Sequence, residues 1–336
     1  MNAEPFQTRA GYALVCHEYG SPPDMRCETR GAAGLPGPGE VLIDIHCAAF
    51  NFTDHLLVQG RYQDKPPLPC VPGLDAAGIV RSVGAGVTAF QPGDKIVSSG
   101  VAGGWATQLV APAHRLVAVP ANVELADAVG SINSHLTAYH GLVDRARLAP
   151  GERVLILGAS GAVGKASVQI ARHLKADVFT AERRQDGSFD IVHLDSGART
   201  HAGQADLKDG LRAALGKRGA DVVVDPVGDR YTEAAVRNLA WRGRLLVIGF
   251  AAGEIPRIPT NLLLLKGAAI VGVYCGGLLI HETETFTRQL SAMFDIMSLG
   301  ALSPLPSEII PAENFGQAWE RFSTAPRGTK ILLGFA

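Results

Sequence analysis

The hydrophobic pattern divides the chain into two textures. As far as about Pro120, short apolar runs are separated by glycine and proline at roughly ten-residue spacing. VLIDIHCAAF (41–50) follows the loop GLPGPGE, and AAGIVRSVG (76–84) and DKIVSSG (94–100) come after it. Short strands joined by turns produce this texture, because glycine and proline supply the angles that turns need and strand interiors refuse. A compact, barrel-like β domain is expected. The period changes after about Leu125. GSINSHLTAYHGLVDRA reads as helical, and PGERVLILGASGAVG opens a strand–turn–helix series. Further strands are expected at 176–181, 220–225, 243–249 and around 270–274, with helices such as 206–217 and 231–241 between them. Strands alternating with helices predict a parallel sheet covered on both faces. SFDIVHLDSGA reads two ways, as a strand through IVHL or as a short helix ending at Gly197. The last strand, ILLGF, can rejoin the first domain and make it discontinuous. The fold class is α/β.

VLILGASGAVGKASVQIARHL (154–174) carries the sharpest local signal. Four apolar residues form a buried strand, and Gly158, Gly161 and Gly164 follow at a spacing of three. Val163, Ala166, Ser167, Ile170, Ala171 and Leu174 then share one helical face. A pyrophosphate must approach backbone N–H groups closely, which side chains would block, and a helix N-terminus adds partial positive charge. Gly158, Ser160, Gly161, Ala162 and Val163 are the candidate phosphate turn. The same spacing also serves a βα turn without a ligand; the strand–turn–helix context favours the dinucleotide. Glu182 stands where an acidic residue would accept from the adenosine ribose hydroxyls, which suits NAD(H). Arg183 and Arg184 follow at once and suit a 2′-phosphate, hence NADP(H). The segment points both ways.

Composition narrows the partners. The 336 residues, 47% of them hydrophobic and 19% charged, suit a soluble two-domain enzyme. A net charge of −1 gives no electrostatic case for nucleic acid or an acidic membrane. No apolar run reaches membrane-spanning length and the N-terminus lacks a secretory signal pattern, so a cytoplasmic location is expected. Five cysteines, an odd number without C-x-x-C, argue for free thiols rather than a disulfide framework or a cysteine-rich zinc lobe.

AAFNFTDHLLVQGRYQDKPPLPCVPGLDAAGIVRSVGAGV resembles the N-terminal signature of the zinc-independent quinone oxidoreductase branch of the medium-chain dehydrogenase/reductase superfamily. GDKIV, HLTAYHGLVDRARL, GASGAVGKASVQIA, VVVDPVGD and GFAAGEIPRIPTNLLLLKGAAIVGVY follow in that family's order. The resemblance covers nearly the whole chain. It implies a GroES-like β-barrel catalytic domain over residues 1–125, completed by 302–336, and a Rossmann doubly wound domain over 126–301. It further implies an active site in the cleft between the two, and a homodimer joined through an edge strand near residues 270–274. Zinc-dependent relatives place cysteine where this chain has Asn51, and a His-Glu pair where it has Leu74-Asp75. Neither sulfur nor imidazole is present there, so no zinc is expected.

The family positions carry candidate roles. Asn51 lies beside nicotinamide and substrate and can hydrogen-bond a developing oxyanion; fixing its own loop accounts for it equally well. Tyr62 borders the substrate cleft, for stacking or for hydrogen bonding, with plain packing nearly as good an account. Asp54 and His55 read as structural or pocket-lining; Asp75 matches an acidic family position and reads as structural rather than as a general acid. Thr137 matches a cofactor-side threonine, and Val227, Gly249 and Phe250 flank the cofactor riboses. Two departures bear on the cofactor: relatives carry a tyrosine-containing segment where this chain has 202–205, and smaller or neutral residues where it has Glu182. NADP(H) is favoured and NAD(H) remains possible. The expected reaction is NAD(P)H-dependent reduction of a quinone or of an activated C=C in an α,β-unsaturated carbonyl or acyl compound. Two alternatives stay open: a cofactor-binding relative with little turnover, and a zinc-independent alcohol dehydrogenase.

Overall fold

A computed structural model describes residues 11–63, 65–203 and 206–335. The chain forms two compact units, one of residues 1–132, 279–298 and 304–336, the other of residues 133–278 and 299–303.

The first unit is β-rich. Strands β1 (Gly11–Glu18) and β2 (Asp24–Arg30) form a hairpin. A second sheet runs β15 (Ser307–Pro311), β16 (Lys330–Gly334), β3 (Glu40–Phe50), β4 (Asp75–Val83), β5 (Lys95–Ser99) and β7 (Leu116–Ala118), with β6 (Gln108–Pro112) paired to β3. The last strand does rejoin this sheet: Ile331 to Gly334 pair antiparallel with Phe50 to Cys47. The interior is filled by Leu14, Ile43, Phe50, Val80, Ile96, Trp105 and Leu333. Trp105 is fully buried, and its indole N–H finds the Ala49 carbonyl at 3.1 Å, as a buried indole requires.

The second unit carries a seven-stranded sheet in the order β11 (Arg199–Ala202), β10 (Phe189–His193), β9 (Asp177–Arg183), β8 (Arg153–Leu157), β12 (Ala220–Asp225), β13 (Leu239–Val247) and β14 (Ala269–Gly272). The five strands from β9 to β14 in that order are parallel. Val154, Leu155, Ile156 and Leu157 are all buried, which explains why β8 reads as a continuous apolar run rather than an alternating one.

The uniformly parallel sheet expected from sequence does not hold at one edge. Strand β10 returns antiparallel beside β9, and β11 antiparallel beside β10. IVHL is therefore a strand and not a helix. Only Arg184 to Ser188 separate β9 from β10, whereas a parallel crossover needs about a dozen residues or more. The turn closes through Gly187, at φ 84°, and by the Arg184 N–H donating to the Ser188 carbonyl. A second correction concerns the helix expected over 231–241. It spans Asp229–Arg237, and β13 begins two residues later, so Trp241 lies on a strand. Asn238 ends the helix by donating its carboxamide N–H groups to the carbonyls of Ala234 and Lys208, both at 2.9 Å.

Candidate active site and cofactor turn

In the first unit the polar residues converge on Asn51. This residue directly follows β3 and caps the short helix Phe52–Val58, whose first turn returns Asp54 to it. The Asn51 N–H donates to Asp54 Oδ2 at 2.9 Å, and the Leu74 N–H donates to Asp54 Oδ1 at 3.3 Å. Asn51 Nδ2 donates to Asp75 Oδ2 at 2.8 Å, and Ser99 Oγ donates to Asp75 Oδ1 at 2.6 Å. Lys330, from β16, donates Nζ to Asn51 Oδ1 at 2.6 Å. All five side chains are buried.

An ammonium can only donate and a carboxylate only accept, so these neighbours fix which way the Asn51 carboxamide points. One Nδ2 hydrogen remains beyond the bond to Asp75. Burial pushes the Asp54 carboxyl up to about 7, with the nearby Asp75 charge adding to the rise; the backbone donors and Lys330 oppose it. Burial raises Asp75 as well, against its bonds to Ser99 and Asn51, and burial lowers Lys330. Sequence reasoning singled out Asn51, took Asp54 and Asp75 as structural, and missed Lys330. A lysine in GTKILLGF reads as solvated, and only the pairing of β16 with β3 brings it inward.

Tyr62 is half-buried and packs against the first unit's core. His55 does not join the polar cluster. Its ring stacks on Trp319 and Phe322, with centroids 4.5 and 4.6 Å away, and burial lowers its pKa.

In the second unit β8 runs into the glycine turn and then the helix Ala162–His173. Gly158 has φ 62°, which L side chains rarely adopt. A Cβ on Gly164 would lie 2.3 Å from the Gly158 carbonyl oxygen, so this third glycine lets the helix pack against the turn. Val227 meets the turn from the loop after β12: a Cβ on Gly158 would lie 3.0 Å from its Cγ2. Asp225, not anticipated from sequence, holds that loop by accepting the Val227 and Gly228 N–H groups at 2.9 Å and Thr232 Oγ1 at 2.6 Å. Phe250 is partly exposed with its ring against Gly228, and Gly249 lies beside the Pro226 carbonyl. The turn, Val227, Gly249 and Phe250 thus gather at the carboxyl ends of the parallel strands, where open α/β sheets bind ligands. Thr137 is buried in a short helical turn that packs on the helix Ala162–His173.

Glu182, at the end of β9, turns toward this site. Its carboxylate accepts the Ser160 N–H and, at 2.8 Å, the Ser160 hydroxyl. The two arginines part company. Arg184 pairs with Asp190 at 2.9 Å, and His201 also bonds Asp190. Arg183 is exposed. Gln204 and Ala205, half of the segment that departs from the tyrosine-bearing pattern, lie outside the described residues.

Among the described residues one group, Asp177, His193 and Asp195, has the ligand spacing for a metal ion. Arg153 and Arg172 face its carboxylates at 3.2 and 3.9 Å, and Ser196 Oγ lies 2.7 Å from the imidazole, so an ion-pair network accounts for it. Within the described residues no helix is long and apolar enough to cross a membrane.

Together these features define the architecture of an oxidoreductase with a GroES-like domain and a Rossmann-type sheet. The family described as alcohol dehydrogenase GroES-like domain matches residues 37–121, and that described as zinc-binding dehydrogenase matches residues 162–292. Quinone oxidoreductase-like protein 2 of Rattus norvegicus is 32% identical over 330 residues, covering 97% of this chain and 93% of the relative. The quinone oxidoreductase of Homo sapiens is 28% identical over 96% of this chain and 97% of its own. A mycobacterial protein solved in complex with NADPH superposes with a TM-score of 0.80 at 26% identity, covering 96% of this chain and 99% of the other. The chain belongs to the zinc-independent quinone oxidoreductase branch of the medium-chain dehydrogenase/reductase superfamily.

Proposed function

We propose that this protein is a zinc-free, NAD(P)H-dependent reductase that transfers a hydride to a quinone or to the activated C=C of an α,β-unsaturated carbonyl or acyl compound. The observation that carries this reading is the Ser160 turn. Its N–H and hydroxyl already hold an anion, the Glu182 carboxylate, at the head of a helix whose glycines leave the backbone open. Such a turn suits a dinucleotide. The N–H groups of Gly161, Ala162 and Val163 would hold the pyrophosphate, and Glu182 or Arg183 the adenosine ribose end. Thr137, Val227, Gly249 and Phe250 would border the remainder. When bound, the reduced nicotinamide supplies the hydride.

The chain's own contribution to the chemistry centres on Asn51. Held by Asp75 and Lys330, its remaining Nδ2 hydrogen is oriented in advance to donate to the oxygen on which negative charge develops, at no reorganisation cost during reaction. Tyr62 would border the acceptor ring. Asn51 and Leu74 offer neither sulfur nor imidazole at the two positions where zinc-dependent relatives have them, which supports metal-independent reduction. NADPH is the favoured cofactor. Arg183 is the arginine open to a 2′-phosphate, Arg184 being matched by Asp190, and the similar mycobacterial protein was solved with NADPH. We also propose a cytoplasmic homodimer. Strand β14 is a sheet edge with Ile270 and Tyr274 exposed nearby, and an open edge of this kind is a template for a second copy.

The test follows absorbance of the reduced nicotinamide in purified protein with 1,4-benzoquinone, 9,10-phenanthrenequinone and a panel of enones. Acceptor-dependent oxidation is expected. Cofactor binding without turnover across the whole panel would return the protein to the low-turnover class.

A further inference from the structure

Two of the five cysteines stand opposite one another. Cys16 lies on β1, and Cys70 lies five residues before β4. Their backbones exchange both hydrogen bonds, Cys16 N–H to Cys70 carbonyl at 2.8 Å and Cys70 N–H to Cys16 carbonyl at 3.1 Å, as an isolated antiparallel bridge. Directly opposed residues in such a pair project their side chains from the same face, with Cα atoms about 5.5 Å apart. That separation falls within the roughly 4.4–6.8 Å a disulfide spans. The side chains are also close enough for a charge on one sulfur to disfavour charge on the other. The Tyr19 hydroxyl, which donates to the Pro66 carbonyl, lies near Cys70.

We propose that Cys16 and Cys70 form an oxidisable dithiol, converted by hydrogen peroxide into a disulfide that staples the segment before β4 to β1. Cys70, the more accessible sulfur, attacks one peroxide oxygen as thiolate. The O–O bond breaks, leaving Cys70 sulfenic acid and hydroxide, which takes up the thiol proton as water. The Cys16 sulfur then attacks the Cys70 sulfur. The S–O bond breaks, and the departing hydroxide leaves as a second water with the Cys16 proton. The two sulfurs give up two electrons in total, and one peroxide becomes two waters.

Two physical features set the character of the pair. Burial pushes the Cys16 thiol up to about 11 and raises Cys70 as well, so oxidation is slow near neutrality and quickens with rising pH. Opposed Cβ atoms normally sit about 4.5–5.5 Å apart, wider than the roughly 3.5–4.5 Å of a relaxed disulfide. Closing the bond therefore draws the strands together, and a strained bond is readily reduced. The stapled segment carries Tyr62, but the proposal does not depend on the reductase reading.

The test uses the whole purified protein, oxidised with hydrogen peroxide near about pH 8.5, where more thiolate is present. Remaining thiols are alkylated, and the peptides are mapped by mass spectrometry without reduction. The expected result is a Cys16–Cys70 linked pair, two hydrogens lighter than the separate peptides and lost on adding dithiothreitol. It should persist in Cys27→Ser and Cys275→Ser proteins. Peroxide-treated native protein that lacks this link, or that links Cys16 to another cysteine, would overturn the proposal. Because the decisive map is made on the unaltered chain, misfolding of a variant cannot mimic either result.

Discussion

Lys330→Met is the most informative single change in the first unit. In the native cluster one buried ammonium faces two buried carboxylates, Asp75 and Asp54, with Asn51 between it and Asp75. Removing the ammonium leaves Asn51 Oδ1 without its donor and Asp75 without its cation. Lys330 reaches the carboxylates through Asn51 rather than by direct contact, and stranding them is taken to cost about as much as breaking a buried ion pair on one side, about 3–5 kcal/mol. At about 2–4 °C per kcal/mol for a unit of this size, Tm should fall by roughly 6–20 °C.

The loss should also depend on pH, with a definite sign. Asp54 titrates near 7 in the fold against an ordinary value of 3.8. A carboxyl raised in this way favours the protonated folded protein. Its presence is least costly below about pH 4, and it costs progressively more as pH rises toward 7, to a ceiling of about 4 kcal/mol. Lys330 opposes that cost. Without it both carboxyls rise further, so the gap between wild type and variant should be wider at about pH 8 than at about pH 5. Thermal melts followed by circular dichroism at the two pH values read both effects. Asp75→Asn in the Lys330→Met background should recover a large part of the loss, since it removes the stranded anion. A Lys330→Met melt within a degree of wild type at both pH values would refute the account of the cluster.

Asn51→Ala should lower kcat by about 10²–10³-fold with little change in KM, the loss expected when one oxyanion donor is removed; steady-state kinetics with a quinone decides it. In fluorescence titrations NADPH should bind at least tenfold tighter than NADH, about 1.4 kcal/mol. Arg183→Ala should erase that gap while Arg184→Ala leaves most of it; tighter NADH binding in the wild type would hand the site to Glu182. Gly164→Ala places a Cβ 2.3 Å from backbone oxygen, so the turn or its helix must shift. A cost of about 1–3 kcal/mol in stability is expected, together with weakened binding of either cofactor, read from melts with and without NADPH.

The strand-and-glycine elements were legible because their causes are local. Val154 to Leu157 are buried on both faces and so read as an unbroken apolar run, and Gly158 and Gly164 are needed for a positive φ and for a close backbone approach. Asn51 could be found by family position, but not the reason its carboxamide points one way. That depends on Lys330, which is nearly three hundred residues away in sequence and is brought inward only by the β16–β3 pairing. The hairpin from β9 to β11 was illegible for a related reason. IVHL is too short for its period to separate strand from helix, and the tight turn at Gly187 decides the direction of the chain. Likewise Asn238 stops a helix whose apolar pattern continues through Leu239 and Trp241, because its side chain takes the carbonyls that the next turn would use. The fates of Arg183 and Arg184 were set by Asp190, which faces Glu182 across that unexpected hairpin.

The proposed reaction is hydride transfer from a nicotinamide to an electron-poor acceptor. It is checked by supplying NADPH with deuterium at both C4 positions together with a cyclic enone, and measuring the label in the reduced product by mass spectrometry. One deuterium should be retained on carbon in the saturated ketone, with the yield falling in Asn51→Ala. Unlabelled product, reduction of the carbonyl to an alcohol with the C=C intact, or bound NADPH left unoxidised by every enone and quinone offered would contradict it.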